Sequence, residues 1–369
     1  MNTYDVLIGG GGAAGLSAAL VLTRARRSVV VVDSGQPRNA PAAHMHGFLG
    51  SDGLPPAELL AAGRREVTGY GGHLLPGTVD AIGPLEGASA GGAPRFDVTL
   101  DTGVVLSARR VLVSTGLRDV VPDIPGLRER WGRDVLHCPY CHGYEVRDQP
   151  VGVIGGSNEA VAHAHLVRQW SDDVVYFTNG TILTEDEVDR FRARGIATVG
   201  GRIARLVVED DALTGVELSG GQVVPRVAVF VRPRLVPNAG LLDALGCASD
   251  SNGWVTADPT GRTGVPGVWV AGNAANPRAQ VITAAGEGSA AAIAINNDLV
   301  EEDVAQSVAH ARTQHCLLVL GETHSIVKAT VMTSALQHDT NCLSSTSGPP
   351  ATRGDAAVGT GPGHGCSRS

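Results

Sequence analysis

The sequence predicts an α/β protein: two Rossmann-like dinucleotide-binding domains, the second inserted in the first, plus a small antiparallel meander. Three observations predict it. An apolar strand pattern runs into Gly10-x-Gly12-x-x-Gly15 and then into a helical pattern. The same strand–turn–helix–strand order starts again at Val151. Proline-bearing breaks at Pro122–Gly126 and Pro233–Asn238 flank this second copy. Repeated βαβ starts are the mark of doubly wound sheets, and 369 residues hold two or three domains at roughly 150 each.

The elements follow in order. Tyr4–Ile8 reads as a strand. Ala13–Arg26 reads as a helix, with Leu16, Ala19, Leu20 and Thr23 at helical spacing, and Ser28–Val32 as a β-branched strand ending at Asp33. Phe96–Leu100, Val104–Leu106 and Val111–Val113 alternate as a meander would. The second copy comprises strand Val151–Ile154, helix Glu159–Trp170 and strand Asp173–Phe177; Thr184 and Glu187 then form a capping box for a helix ending at Gly195. The return half runs from Leu241 to the alanine-rich helix Ala284–Leu299. The expected domains are 1–117 and 239–312 for the first fold and 118–238 for the insert. Residues 313–369, rich in Ser, Thr, Gly, Pro and His, read as a disordered or non-native tail; the alternative, a metal-binding tail, lacks close Cys or His pairs.

Composition excludes several classes. A net charge of −8 carries no electrostatic footprint for nucleic acid or anionic lipid. Six cysteines in this length do not make a disulfide-stapled domain. Val6–Thr23 is uncharged, yet Asp5 precedes it, no Lys or Arg leads it, and glycines 9–12 break it. It is expected to be neither a signal peptide nor a membrane span, so the protein reads as cytoplasmic.

Two turns and one cysteine pair carry chemistry. In the first turn Gly10 makes the bend, Gly12 lets the backbone approach a pyrophosphate, Gly15 packs helix on strand, and Asp33 is placed for ribose hydroxyls. The second turn reads Gly155-x-Ser157-x-x-Ala160, with a serine where the pyrophosphate would approach. Thr178-Asn179-Gly180 then offers neither an acid nor an arginine pair, and Arg190, Arg192 and Arg194 lie beyond three acids. Binding of NAD(P)H here is therefore uncertain. Cys138-Pro-Tyr-Cys141-His142 admits three readings: haem attachment, which needs export; a zinc site, which needs a second pair; and a redox dithiol, the expected one, with a thiol pKa drawn from about 8.5 toward 7. His142, and less so His137, is a candidate proton carrier; a structural hydrogen bond is the alternative. His163 and His165 point to different faces of one helix, and His44 and His46 have no carboxylate or cysteine nearby in sequence. No metal site is expected, and Cys247 reads as a small buried hydrophobe.

The Gly10–Gly15 fingerprint, the C-x-x-C just before the second βαβ unit, and Gly267-Val-Trp-Val-Ala-Gly272 before an alanine-rich helix together resemble the low-molecular-weight thioredoxin reductases, over about residues 4–310. The resemblance implies FAD in the first domain, a nicotinamide-type second domain and a homodimer. It matches Ser114-Thr115-Gly116 to a flavin-segment turn and puts Arg278, Ala279 and Gln280 beside the flavin ring. Next to Gly272, Asn273 stands for the aspartate that meets the ribityl chain. His142 stands where an acid follows the second cysteine. That change, with Ser157 and Thr178–Gly180, is similar to the flavin-dependent dithiol oxidases that close disulfides of gliotoxin-type and holomycin-type natural products. The expectation is a small-molecule dithiol attacking Cys138, Cys141 serving the flavin, His142 moving protons and oxygen as acceptor. The alternatives are an NAD(P)H-dependent disulfide reductase acting on a thioredoxin-like protein, and a flavin redox sensor without turnover.

Overall fold

The computed structural model describes residues 3–85, 95–157 and 159–340, with backbone alone from 315 onward. Met1–Asp303 forms one compact unit and Val304–Ser369 a second. All strands among the described residues lie in the first.

The chain opens with β1 (Thr3–Gly9), α1 (Ala13–Arg24), β2 (Val29–Asp33), α2 (Pro56–Gly69), β3 (His73–Pro76), β4 (Val79–Pro84), β5 (Phe96–Leu100) and β6 (Val105–Val113). They form a sheet of order β3-β2-β1-β6-β5-β4. Its central strands are continuous apolar runs because both faces are covered. Val6, Ile8, Val29 and Val31 pack toward α1 and α2, while Leu7, Val30 and Val32 pack on the opposite face with Phe96 and Val98.

The meander differs from expectation. Val105, Leu106 and Val111–Val113 fall in one strand, β6, with Val104 just before it; β6 pairs antiparallel with β5 at its start and parallel with β1 along Ser107–Val113. The meander is thus the edge of the first sheet. Arg109 and Arg110 lie between those two runs, inside the strand. In the fold Asp5, Asp298, Glu302 and Asp303 answer their charge, and Arg110 is only 3 % exposed.

β7 (Leu117–Val120) leads into the insert: β8 (Val135–Leu136), α3 (Pro139–His142), β9 (Val151–Ile154), α4 (Ala160–Val167), β10 (Val174–Phe177), α5 (Glu185–Ala193), β11 (Ala197–Val199), β12 (Ile203–Glu209), β13 (Ala212–Leu218), β14 (Val223–Pro225) and β15 (Ala228–Val231). β11-β10-β9-β15-β8 is a second, all-parallel sheet. The capping box at Thr184 and Glu187 forms as the sequence requires. β12-β13-β14 is an antiparallel sheet the pattern reading missed. Leu206, Leu213 and Val216 from it cover one face of the parallel sheet. Its hairpin turns at Asp210 and Asp211, both at positive φ as a two-residue turn demands. β16 (Arg234–Pro237) leaves the insert and pairs antiparallel with β7, so the two crossover segments are bonded to each other.

After α6 (Gly240–Ala244), β17 (Val268–Val270) joins β6 in the first sheet, and α7 begins. The second domain therefore sits inside the first, as expected. α7 (Val281–Thr340) runs into the stretch read as a tail: residues 313–340 carry helical backbone. No proline occurs between Pro277 and Pro349, so nothing in that stretch forces a stop. Residues 341–369 lie outside the described residues.

Candidate active site

One cleft of about 1240 Å³ is lined by both the first glycine turn and the cysteine pair. It exceeds the roughly 300–1,000 Å³ of ordinary small-molecule pockets, which gives room for a dinucleotide and a second molecule. Gly10 turns at φ +108°, and a Cβ on Gly15 would stand 1.9 Å from the Gly10 carbonyl oxygen, so both positions require glycine. A Cβ on Gly12 would meet nothing within 4 Å: this is the cradle's open side. Gly12 also caps α1 without any side-chain hydrogen bond, leaving first-turn N–H groups for an anion. Asp33 accepts from Arg64 at 2.9 Å and from the Gly35 N–H at 3.2 Å, and its carboxylate keeps lone pairs for ribose hydroxyls. These residues fit the diphosphate and ribose of FAD.

Across the cleft, the Gly272 N–H donates to Glu287 at 2.9 Å. Asn273 donates both amide hydrogens to the carbonyls of Asn276 and Ala279, at 2.9 and 3.0 Å, and accepts from Arg38 at 3.2 Å. Only Oδ1 keeps capacity for a ribityl hydroxyl. Arg38, which sequence reading missed, is also held bidentate by Asp119 of β7 at 2.7 and 2.8 Å. The Arg278 N–H donates to Asn276 at 3.0 Å, and Ala279 is buried. Gln280 stands just before α7 with its amide 3.9 Å from the Cys141 sulfur.

The cysteine pair is held by one short helical turn. Cys138 caps α3, Pro139 opens it, and the N–H groups of Cys141 and His142 both donate to the Cys138 carbonyl at 3.1 Å. Both thiols are free and half-buried. The Cys141 thiol donating to Cys138 draws the Cys138 pKa down to about 7 against the opposing effect of burial, with help from Gln280. The same bond, with burial, pushes Cys141 up. Cys138 is therefore the thiolate of the pair. Burial holds His142 below the ordinary histidine value although Glu145 pulls it upward, and its buried Nε2 meets no partner. His46, thought to lack a carboxylate, lies 3.3 Å from both Asp52 and Glu145. Glu145 arrives from the insert, which the sequence could not show, whereas Asp52 stands only six residues on and was there to be read.

Residues 4–288 match the family described as pyridine nucleotide-disulphide oxidoreductase. The chain belongs to that family. It is 35% identical over 288 residues to thioredoxin reductase tcpT of Claviceps purpurea, covering 74% of this chain and 87% of the relative. Thioredoxin reductase sirT of Leptosphaeria maculans is 30% identical over 320 residues, covering 82% and 97%. The crystal structure of HlmI is 58% identical with TM-score 0.81, covering 84% of this chain and 96% of that one. The protein is thus a thioredoxin reductase-like flavoenzyme acting on sulfur groups, with FAD as cofactor.

In this oxidoreductase the second turn keeps the first turn's crowded first glycine but not its open middle one. A Cβ on Gly155 would stand 2.7 Å from the Phe177 and Thr178 carbonyls. The Ser157 hydroxyl is buried without a partner, and Ala160 begins α4 packed in the core. Asn179, at φ +46°, spends its side-chain oxygen on the Ile203 N–H at 3.1 Å. Arg190 and Arg192 pair with Asp186 and Asp189 on their own helix. One cation does reach the end of β10: a Cβ on Gly180 would stand 3.6 Å from the Arg202 guanidinium carbon. Among the described residues Arg202 has no ion pair. No helix among them is long and apolar enough to cross a membrane.

Proposed function

We propose that this oxidoreductase runs from dithiol to disulfide, oxidising a small-molecule dithiol with oxygen as the final acceptor. The observation that carries the reading is the contrast between an open flavin cradle with an activated dithiol and a nicotinamide-type turn occupied by Ser157, with Asn179 tied to the backbone. The likeness of His142, Ser157 and Thr178–Gly180 to the dithiol oxidases supports it. Domain limits of 1–117, 118–238 and 239–312, a homodimer and a cytoplasmic setting belong to the same proposal.

The oxidised pair, Cys138–Cys141 joined as a disulfide, is the form that meets substrate. A substrate thiolate attacks the Cys138 sulfur, and Cys141 leaves. The second substrate thiol, losing its proton to His142, then attacks the substrate sulfur and expels Cys138. The substrate disulfide closes as both cysteines become reduced, so two electrons and two protons have moved. A pKa of about 7 suits Cys138 as this leaving group. The Gly10–Asp33 cradle would hold FAD, which would supply the two-electron acceptor for the reduced cysteine pair and the route of those electrons to oxygen.

The test is anaerobic: NADPH, NADH and dithiothreitol are added separately to the yellow holoprotein. Bleaching by the dithiol alone, with colour and peroxide returning in air, is expected. Prompt bleaching by a nicotinamide overturns the reading and leaves the reductase, which Arg202 beside Gly180 favours.

A further inference from the structure

The cleft that holds the dithiol is also lined by His137, His163 and Arg232. His163 is only 4 % exposed, and neither ring nitrogen meets a hydrogen-bond partner; the main chain of His137 is near but outside hydrogen-bonding geometry. Phe230 meets the ring edge to face at 6.0 Å and so fixes its plane. The His137 ring lies 6.2 Å away, with only a long 3.4 Å contact to the Val231 carbonyl. Arg232 is half-buried and, among the described residues, has no ion pair. Burial, then Arg232, lowers His137 to about 4. Burial, then His137 and Arg232, lowers His163 to about 3, so both rings are neutral at pH 7. A neutral imidazole offers one N–H and one lone pair. Polar groups left buried and unmet are destabilising, and native proteins leave few of them. A ring buried on the wall of a cleft, with no hydrogen-bond partner for either nitrogen among the described residues, therefore points to a group that arrives through the cleft.

The donors decide its chemistry. Arg232 brings only N–H groups and a positive charge, which disfavours a cationic ligand, while a purely apolar ligand would leave His163 unmet. We propose that His163, with His137 and Arg232, anchors an acceptor oxygen of the substrate, a carbonyl or a carboxylate carried by the dithiol that attacks Cys138. His137 directly precedes Cys138, so the anchor and the attacked sulfur share one stretch of backbone. The inference rests on the dithiol-to-disulfide reading and adds to it a criterion for which dithiols are taken.

The experiment compares 1,3-propanedithiol, which has no oxygen, with dihydrolipoamide and dihydrolipoate, measuring kcat and KM for wild type, His163→Phe and His163→Gln. His163→Phe keeps a ring and removes both nitrogens. It is expected to raise KM for the two lipoyl dithiols about tenfold, the worth of one neutral hydrogen bond, with kcat and the propanedithiol KM unchanged. His163→Gln restores part of the loss. A wild-type preference for dihydrolipoate that Arg232→Gln erases identifies a carboxylate; equal use of both identifies a carbonyl. A His163→Phe effect equal for all three dithiols, or absent for all, overturns the anchor while leaving the dithiol reading intact. A wild-type flavin that no dithiol bleaches removes that reading, and the anchor with it.

Discussion

At the end of β1 the backbone turns with nothing within 4 Å of a Cβ placed on Gly12, whereas at the end of β9 the matching position is Ser157, whose buried hydroxyl has no partner. The strands and helices around the two turns are alike. Val6, Ile8 and Val29 pack under one helix as Val151, Val153 and Val174 pack under the other. Fold is therefore kept by the continuous apolar runs of the strands, which do not depend on what the turn binds. Binding depends on two or three turn atoms, which can change without disturbing that core.

Making the first turn resemble the second gives the largest effect. Gly12→Ser fits without touching protein but fills the approach to the diphosphate. FAD affinity is expected to fall about a hundredfold, roughly 2.7 kcal/mol, while the apoprotein's melting temperature stays put. Titration of the apoprotein followed by flavin fluorescence measures it. Unchanged affinity would show that the cradle is not where the diphosphate rests.

The reverse change is weaker. Ser157→Gly opens the second turn but leaves Asn179 bound to Ile203, with Arg202 as the cation beside Gly180. NADPH-driven bleaching is expected to rise by no more than about tenfold, one hydrogen bond's worth. A jump to rapid reduction would mean that the serine alone had silenced the site.

The dithiol between the turns can be read by its pH dependence. With Cys138 at about 7, only its thiolate reacts, so alkylation of the reduced protein by iodoacetamide should rise about tenfold from pH 6 to pH 8. Mass mapping should place the label on Cys138 before Cys141. A midpoint near the ordinary thiol value would remove the proposed donation from Cys141.

Local chemistry was legible in the sequence and long-range chemistry was not. Gly10, Gly12, Gly15 and Asp33 announce the cradle because a turn's geometry is set by adjacent residues. The C-x-x-C announces its helical turn for the same reason. Arg38, Arg202 and the His46–Glu145 contact come from distant segments and carry no local signal. Arg109 and Arg110 likewise sit inside a strand because Asp5, Asp298, Glu302 and Asp303, all distant in sequence, meet their charge. The β12–β13 hairpin did have a signal, Asp210-Asp211 between apolar runs, and could have been found.

The two domains should also part company in acid. His137, His142, His163 and His165 all belong to the insert, and burial lowers each of them in the fold. The folded state thus refuses protons that the unfolded chain accepts below its ordinary value near 6.5. Stability therefore rises with pH across that window and falls on acidification, by about 1.4 kcal/mol per pH unit for each histidine fully affected. The first domain depends instead on Glu302 and Asp303, held below the ordinary carboxylate values beside Arg95, Arg109 and Arg27. Their contribution is present above those values and is lost only as pH falls through the lowered ones. Between pH 6.5 and 5 the insert should weaken while the first domain holds. Native-state hydrogen exchange on peptides from β9 and β10 against β1 and β2 reads this directly. Equal acceleration in both sheets would show that the buried histidines are not what sets the insert's acid limit, whereas acceleration confined to β9 and β10 and diminished by His163→Phe would assign the limit to that ring.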